Sequence, residues 1–272
     1  MKLGLFTNLD IPALFALNRL IPRLHGHDVT VYYSKAVGTQ NDHQPPVLKE
    51  YQLMEQRLFF DALLPVIQDL NQNPKAPLLD FYTLLKQHKI QSFEFSHVNS
   101  DKGLEYLKQQ SHDLWLSIRF GKIFKQEAIS IPKQGIINLH SGILPDYQGV
   151  MPTFRAMLDN QNHIGCTLHR IDNENIDSGP IIAYSKTALD KTHSYLWNVI
   201  QLYQSGVDIM IDALRNMTKQ PSWQFITPQH KGHYYSFPKQ NTLDQFFSKG
   251  YQLYQIDDIK MIFQNLLCSR KF

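Results

Sequence analysis

Cysteine is nearly missing from this chain: Cys166 and Cys268 are the only two in 272 residues. Two thiols cannot build a disulfide framework, and their separation does not have zinc-ligand spacing. A reducing compartment is the matching expectation. Long apolar runs are missing as well. No stretch approaches the ~18 apolar residues of a membrane span. The apolar start Leu3–Phe6 is short and is soon interrupted by Asp10, which argues against a secretory leader. An excess of one charge is also lacking, with 27 Lys and Arg against 24 Asp and Glu. No basic stripe of the kind that tracks nucleic-acid phosphates is visible. These absences together predict a soluble, cytoplasmic protein with no nucleic acid and no membrane among its partners. Standard signatures are missing too: there is no G-x-G-x-x-G, no P-loop, no H-E-x-x-H and no G-x-S-x-G. Ser130-Ile131-Pro132-Lys133 fits S-x-x-K but has no companion motifs. His25-Gly26-His27 reads as a helix–strand turn, and no metal is expected.

What is present is an ordinary globular balance, 43% hydrophobic and 19% charged. Leu3–Thr7 is an apolar run. After Pro12, Leu14, Leu17, Leu20, Ile21 and Leu24 recur at helical spacing, and Gly26 ends the pattern. Asp28–Tyr33 then reads as a strand, which makes a β-α-β opening. Lys35–Pro46 reads as a loop, and Leu48–Leu70 and Leu78–His88 as helices split by Asn71–Pro77. A strand near Ser92–Ser96 leads into the capping segment Asn99-Ser100-Asp101 and a helix through Leu104–Gln110. Asp113–Arg119, Gly135–His140, Ile164–Ile171 and Ile181–Tyr184 read as further strands, and His193–Met217 as a long helix. The alternation predicts an α/β, doubly wound, mostly parallel sheet over residues 1–217. Residues 218–272 are rich in aromatics and read as a short extension for packing or dimerisation.

The chemistry concentrates in residues 134–182. Asn138 and His140 are two apart on a predicted strand, so they share a face while Leu139 takes the other. They stand near the strand's carboxyl end, where open α/β sheets bind ligands. Polar side chains at the lip of an apolar strand are costly to bury without partners. A second polar run, Asp172-Asn173-Glu174-Asn175-Ile176-Asp177-Ser178, lies between two apolar strands. A solvated turn is its ordinary meaning. It also offers a carboxylate to partner His140, and spacing alone leaves Asp172, Glu174 and Asp177 all open.

Asn138-Leu139-His140, Ile143-Leu144-Pro145, Gly149, Gly165-Cys166-Thr167-Leu168-His169 and Ile176-Asp177-Ser178-Gly179-Pro180 keep one order and spacing. That order resembles the 10-formyltetrahydrofolate-dependent formyltransferases, whose pattern runs N-x-H, a Leu-Leu-Pro loop, G-x-T-x-H and a Leu-Asp-x-Gly lead into a strand. The resemblance covers about residues 113–184. It implies a Rossmann-like catalytic core, with Asn138, His140 and Asp177 as the catalytic residues. It also implies 10-formyltetrahydrofolate as co-substrate, bound largely through backbone groups of Phe120-Gly121-Lys122-Ile123-Phe124. The turn carrying Asp172 and Ile176 would close the other side. The rings of Trp115 and Phe120 are themselves expected in the core. The implied mechanism has Asn138 and a protonated His140 donating to the developing oxyanion, with Asp177 keeping His140 charged and relaying a proton. One departure stands out: Ser141-Gly142 follows His140 where relatives often carry Pro-Ser.

The resemblance leaves the acceptor to elimination. Methionyl-tRNA formyltransferases add a basic C-terminal domain, whereas residues 218–272 are short and not strongly basic. Glycinamide ribonucleotide formyltransferases carry a Gly/Ser-rich phosphate loop after the first strand, where this chain has Thr7-Asn8-Leu9-Asp10-Ile11-Pro12. Formyltetrahydrofolate hydrolases carry an additional N-terminal domain. The expectation is therefore a small amine acceptor, foremost an amino-sugar on a nucleoside diphosphate. A siderophore hydroxylamine and a folate-binding relative without turnover are the alternatives.

Overall fold

The computed structural model describes residues 1–35, 44–56, 60, 78–219 and 222–267. Parts of the expected loop at Lys35–Pro46, of the helix at Leu48–Leu70 and all of its break at Asn71–Pro77 lie outside the described residues.

The main sheet has seven strands: β1 (Lys2–Asn8), β2 (Asp28–Ser34), β3 (Gln91–Glu94), β4 (Leu114–Ile118), β5 (Ile136–His140), β8 (Thr167–Ile171) and β9 (Ile181–Tyr184). Their order is β3-β2-β1-β4-β5-β8-β9. The first five are parallel, β8 is antiparallel to β5, and β9, antiparallel to β8, runs again in the direction of the first five. The chain order reverses between β1 and β4, the switch point at which such sheets leave a crevice beyond the strand ends. Three chain segments leave the sheet at this lip, carrying Asp10 after β1, Arg119 after β4 and His140 at the end of β5.

Helices cover both faces because the strands alternate two apolar sets. Leu5, Val31, Leu116, Ile137, Leu139 and Leu168 belong to one core. Helix α1 (Ile11–Leu20) and the long α7 (Tyr195–Lys219) pack on it. Phe6, Tyr32, Trp115 and Ile136 belong to a second core under α4 (Asp101–Gln110) and α5 (Gln126–Ile129). The intervening helices are α2 (Pro46–Gln52) and α3 (Phe81–Gln87). Caps fix the starts read from sequence: Ser100 Oγ accepts the Gly103 N–H at 3.1 Å.

The expected single strand Ile164–Ile171 is two strands. β7 (His163–Ile164) pairs with β10 (Thr187–Ala188), and only β8 joins the main sheet. The break lies at Gly165-Cys166, where Ser185 pins the chain by accepting the Cys166 N–H at 3.2 Å and donating to the Cys166 carbonyl at 2.9 Å. Beyond α7, β11 (Tyr234–Tyr235) pairs in parallel with β6 (Gln148–Gly149). Two further helices, α8 (Gln240–Ser248) and α9 (Ile256–Leu267), follow, with α6 (Pro152–Leu158) earlier in the chain. Among the described residues no helix is long and apolar enough to cross a membrane.

Candidate active site

Strand alternation puts Asn138 and His140 on one face of β5, and the antiparallel register of β8 sets His169 opposite Asn138 and Thr167 opposite His140. Asp177 arrives from the turn between β8 and β9 in a left-handed backbone conformation, φ 51°, that aspartate tolerates better than most residues. His140 Nδ1 lies 3.3 Å from Asp177 Oδ2, and His140 Nε2 donates to the Tyr147 carbonyl at 2.7 Å. The Gly149 N–H donates to the same carboxylate at 3.0 Å. Asp177 is therefore the carboxylate that faces His140. Asp172 accepts from Asn173 at 2.7 Å, and Glu174 accepts the Gln126 N–H at 3.0 Å.

His169 ties the group together. Its Nδ1 donates to the Arg170 carbonyl at 3.0 Å, and its Nε2 lies 3.1 Å from the Asn138 amide and 3.4 Å from Asp177 Oδ1. Sequence reasoning quoted His169 but gave it no role. Its spacing of two from Thr167 mirrors that of Asn138 and His140, and that parity was the available signal.

Burial shapes the charges. At Asp177, burial alone would raise the pKa. The charge of His140, the His169 ring and the Gly149 N–H together outweigh it and hold the carboxyl at about 2. At His140, burial lowers the pKa and outweighs the opposing Asp177 and Tyr147 carbonyl. The standing imidazolium expected from sequence is thus disfavoured, and the resting pair is a neutral ring beside an ionised aspartate.

This has a stability consequence. With a depressed pKa, folded His140 binds fewer protons than in the unfolded chain. Stability is then lost as pH falls below ~6.5, by at most about 1.4 kcal/mol per pH unit. Asp177 acts lower down: its contribution is present above ~3.9 and is lost as pH falls toward about 2. Buried His112, lowered to about 4, adds to the upper window. Urea unfolding at pH 7.5 and 5.5 should therefore show a smaller acid loss in His140→Asn than in the wild type. Equal losses would contradict the assignment.

The Ser141-Gly142 departure has a steric reason. A Cβ on Gly142 would come within 2.5 Å of Pro152 Cβ and 2.8 Å of His140 Nε2. Glycine here lets the loop close over the histidine ring. Thr167 holds that loop from below, its Oγ1 donating to the Gly142 carbonyl at 2.6 Å and accepting the Leu144 N–H at 2.9 Å.

The two elements expected to face folate come together. Glu174 joins the Asp172–Asp177 turn to the start of α5, immediately after the 120–124 loop. Asn99 holds this loop from outside, donating to the Ile123 carbonyl at 2.8 Å and accepting the Lys125 N–H at 2.9 Å. The Phe120 ring stacks on Phe124 at 5.3 Å and meets Phe6 edge-on at 5.2 Å. Phe120 and the buried Phe124 thus give their rings to the core, as Trp115 does. The backbone N–H groups of residues 120–124 make no hydrogen bond among the described residues. Gly121 and Lys122 are half-buried, and Ile123 and Ile176 are exposed. The loop can therefore offer backbone groups to a heterocycle edge.

A second polar group, which the sequence did not announce, closes the end of β1. Arg119 Nε donates to both oxygens of Asp10 at 2.8 Å, and its Nη2 donates to Glu55 at 2.7 Å. Asp10 also caps α1 through the Ala13 N–H at 2.8 Å and accepts from Asn8 at 3.1 Å. Burial pushes Glu55 up to about 7 against the pull of Arg119. Arg119 itself has φ 58°.

A doubly wound sheet with an Asn-x-His pair and an ionised aspartate beyond its central strand defines an α/β fold whose polar residues gather at the end where such sheets bind ligands. The narrower assignment comes from comparison: a family model described as formyl transferase matches residues 68–211, and the chain belongs to that family. Methionyl-tRNA formyltransferase of Kosmotoga olearia is 29% identical over 133 residues, 49% of this chain and 42% of that protein. The Thermus thermophilus protein of the same name is 33% identical over 116 residues, 42% of this chain and 37% of that one. The chain thus matches less than half the length of these curated relatives. Among solved structures, a sugar N-formyltransferase from a Shewanella species aligns over 100% of this chain and 90% of its own, with TM-score 0.55 and 18% identity. A glycinamide ribonucleotide transformylase from Symbiobacterium toebii aligns over 80% and 88%, with TM-score 0.54 and 14% identity. At these identities the likeness is one of fold.

Proposed function

We propose that the chain transfers a formyl group from 10-formyltetrahydrofolate to the amine of an amino-sugar carried on a nucleoside diphosphate. The observation that carries formyl transfer is the meeting of Asn138, His140, His169 and Asp177 at the end of β5, beside a loop with free backbone N–H groups. In the reaction a bond forms from the acceptor nitrogen to the formyl carbon, and the bond from that carbon to N10 breaks. The attacking amine must lose a proton and N10 must gain one.

His140 and Asp177 suit that proton. Nε2–H is committed to Tyr147, so the neutral ring presents a Nδ1 lone pair 3.3 Å from the carboxylate. A proton arriving at Nδ1 gains a charge-assisted bond to Asp177. The pair takes the amine proton and returns it to N10. Asn138 supplies the oxyanion donor. His169, whose Nδ1–H is committed to the Arg170 carbonyl, accepts one amide N–H of Asn138 at Nε2 and leaves the second for the oxyanion.

The first strand–helix turn bears on the acceptor. Asp10 fills the N-terminus of α1 with a carboxylate already bonded to Ala13, Asn8 and Arg119. A phosphate monoester placed there would meet negative charge, which disfavours a ribonucleotide acceptor bound in that way. Fold likeness over the whole chain to a structure named as a sugar N-formyltransferase adds weight to the sugar branch. The test is tetrahydrofolate release with a panel of amino-sugar nucleotides, small hydroxylamines and aminoacylated tRNA. Turnover restricted to the sugar nucleotides supports the reading. Turnover restricted to another acceptor overturns the sugar assignment. Folate binding without turnover on any of them favours a binding protein.

A further inference from the structure

Two acceptors face the neutral His140 ring, which has one N–H to give. Tyr147 offers its carbonyl 2.7 Å from Nε2, and Asp177 offers a carboxylate 3.3 Å from Nδ1. A carboxylate is the stronger acceptor, so it competes to draw the proton to Nδ1. That tautomer would cover the lone pair that takes the amine proton. The hydrogen bond made by one ring nitrogen sets the state of the other, so the nearer Tyr147 carbonyl decides which nitrogen stays free.

Tyr147 does not hold that carbonyl alone. Its N–H donates to the Ile143 carbonyl at 3.1 Å, and its hydroxyl donates to Asp159 at 3.2 Å. Its ring stacks on that of Tyr235, with centroids 6.3 Å apart and planes 25° apart. The backbone around Tyr235 grips the same loop on both sides of Tyr147. The His233 N–H donates to the Pro145 carbonyl at 3.2 Å, and the Gln148 N–H donates to the His233 carbonyl at 3.1 Å. The Val150 N–H donates to the Tyr235 carbonyl at 2.8 Å. This approach needs Gly149, where φ is 92° and a Cβ would come within 2.3 Å of the Tyr235 carbonyl.

Arg155 of α6 fastens Tyr235 in turn. Its guanidinium lies over the Tyr235 ring, 4.9 Å from the centroid, and its Nη2 donates to the Ser236 carbonyl at 3.2 Å. Among the described residues, its hydrogen bond and its ring contact outside α6 both go to the tail.

We propose that Tyr235, fastened by Arg155, is a positioning residue that keeps the His140 proton on Nε2 by fixing the Tyr147 carbonyl. The Tyr235 hydroxyl makes no hydrogen bond among the described residues, so the ring carries the role. For catalysis the proposal rests on the reading of His140 as proton acceptor; for the tautomer it does not.

The test is nitrogen NMR of the full chain with ¹⁵N-labelled histidine, above neutral pH. His140 is assigned by the loss of its signals in His140→Asn, and His169 by the loss of its own in His169→Gln. The expected wild type carries the His140 proton on Nε2. Tyr235→Ala and Arg155→Met should shift population to Nδ1, and Tyr235→Phe, which keeps the ring, should not. His169, whose Nδ1–H bonds the Arg170 carbonyl, should keep its tautomer throughout. In tetrahydrofolate release, Tyr235→Ala should lower kcat about tenfold or more, with KM for 10-formyltetrahydrofolate little changed. An unshifted His140 in Tyr235→Ala overturns the proposal. So does a joint change at His140 and His169, which marks general loosening, and so does a Tyr235→Phe variant that behaves like Tyr235→Ala. Should Tyr235→Ala fail to fold, Arg155→Met reads the same shift from a different element. A wild type without turnover on any amine overturns the formyl-transfer reading, and the tautomer shift still decides the positioning.

Discussion

Asp177→Asn should lower turnover by about 10²–10⁴-fold while the fold survives and folate binding changes little. The substitution keeps the size of the side chain and an oxygen for the Gly149 N–H, now bonded at 3.0 Å. It removes the charge that makes a proton on His140 Nδ1 favourable. Stability should fall as well at neutral pH, because a carboxyl held at about 2 is favoured by its surroundings despite the burial cost. If Asp177 only braces the loop, His140→Asn will not match the kinetic defect. If it acts with His140, the two single variants will have similar rates and the double variant will be scarcely slower, as members of one proton-transfer unit are not additive.

Arg119→Met should cost about 3–5 kcal/mol of folding stability, because removing one partner of a buried ionic group leaves the other uncompensated. Asp10 and Glu55 are both buried, and each would lose its guanidinium bonds. Glu55 can relieve part of the loss by taking a proton, since burial has already pushed it up to about 7. The sign follows: the variant's deficit should be smaller at pH 6 than at pH 8. Urea unfolding at both pH values reads this directly. A deficit under about 1 kcal/mol would place the group among ion pairs that contribute little.

The two charged groups differ in how visible they were from sequence. Asn138 and His140 were legible because strand alternation and the position at a strand end are local features, two residues apart. The doubly wound sheet was legible for the same reason, since apolar runs alternate with helical patterns. The partner of His140 was not local. Three carboxylates stood within six residues, and only the left-handed turn at Asp177 and the Gly149 N–H select one. The Arg119 group joins residues 10, 55 and 119, which no short-range pattern connects. The break at Gly165-Cys166 was hidden in a similar way, since it depends on Ser185 from a different strand connection. The tail also contributes at long range: β11 runs beside Gln148 and Gly149, and the Gln148 N–H donates to the His233 carbonyl at 3.1 Å. It thereby steadies the loop that supplies the Tyr147 carbonyl and the Gly149 N–H.

The central claim is that His140 and Asp177 move the amine proton during formyl transfer. Acceptor-dependent release of tetrahydrofolate from 10-formyltetrahydrofolate, measured for the wild type and for Asp177→Asn, tests it most directly. The account predicts release that requires an amine acceptor and falls at least about 10²-fold in the variant. Release at the same rate in both proteins would contradict it.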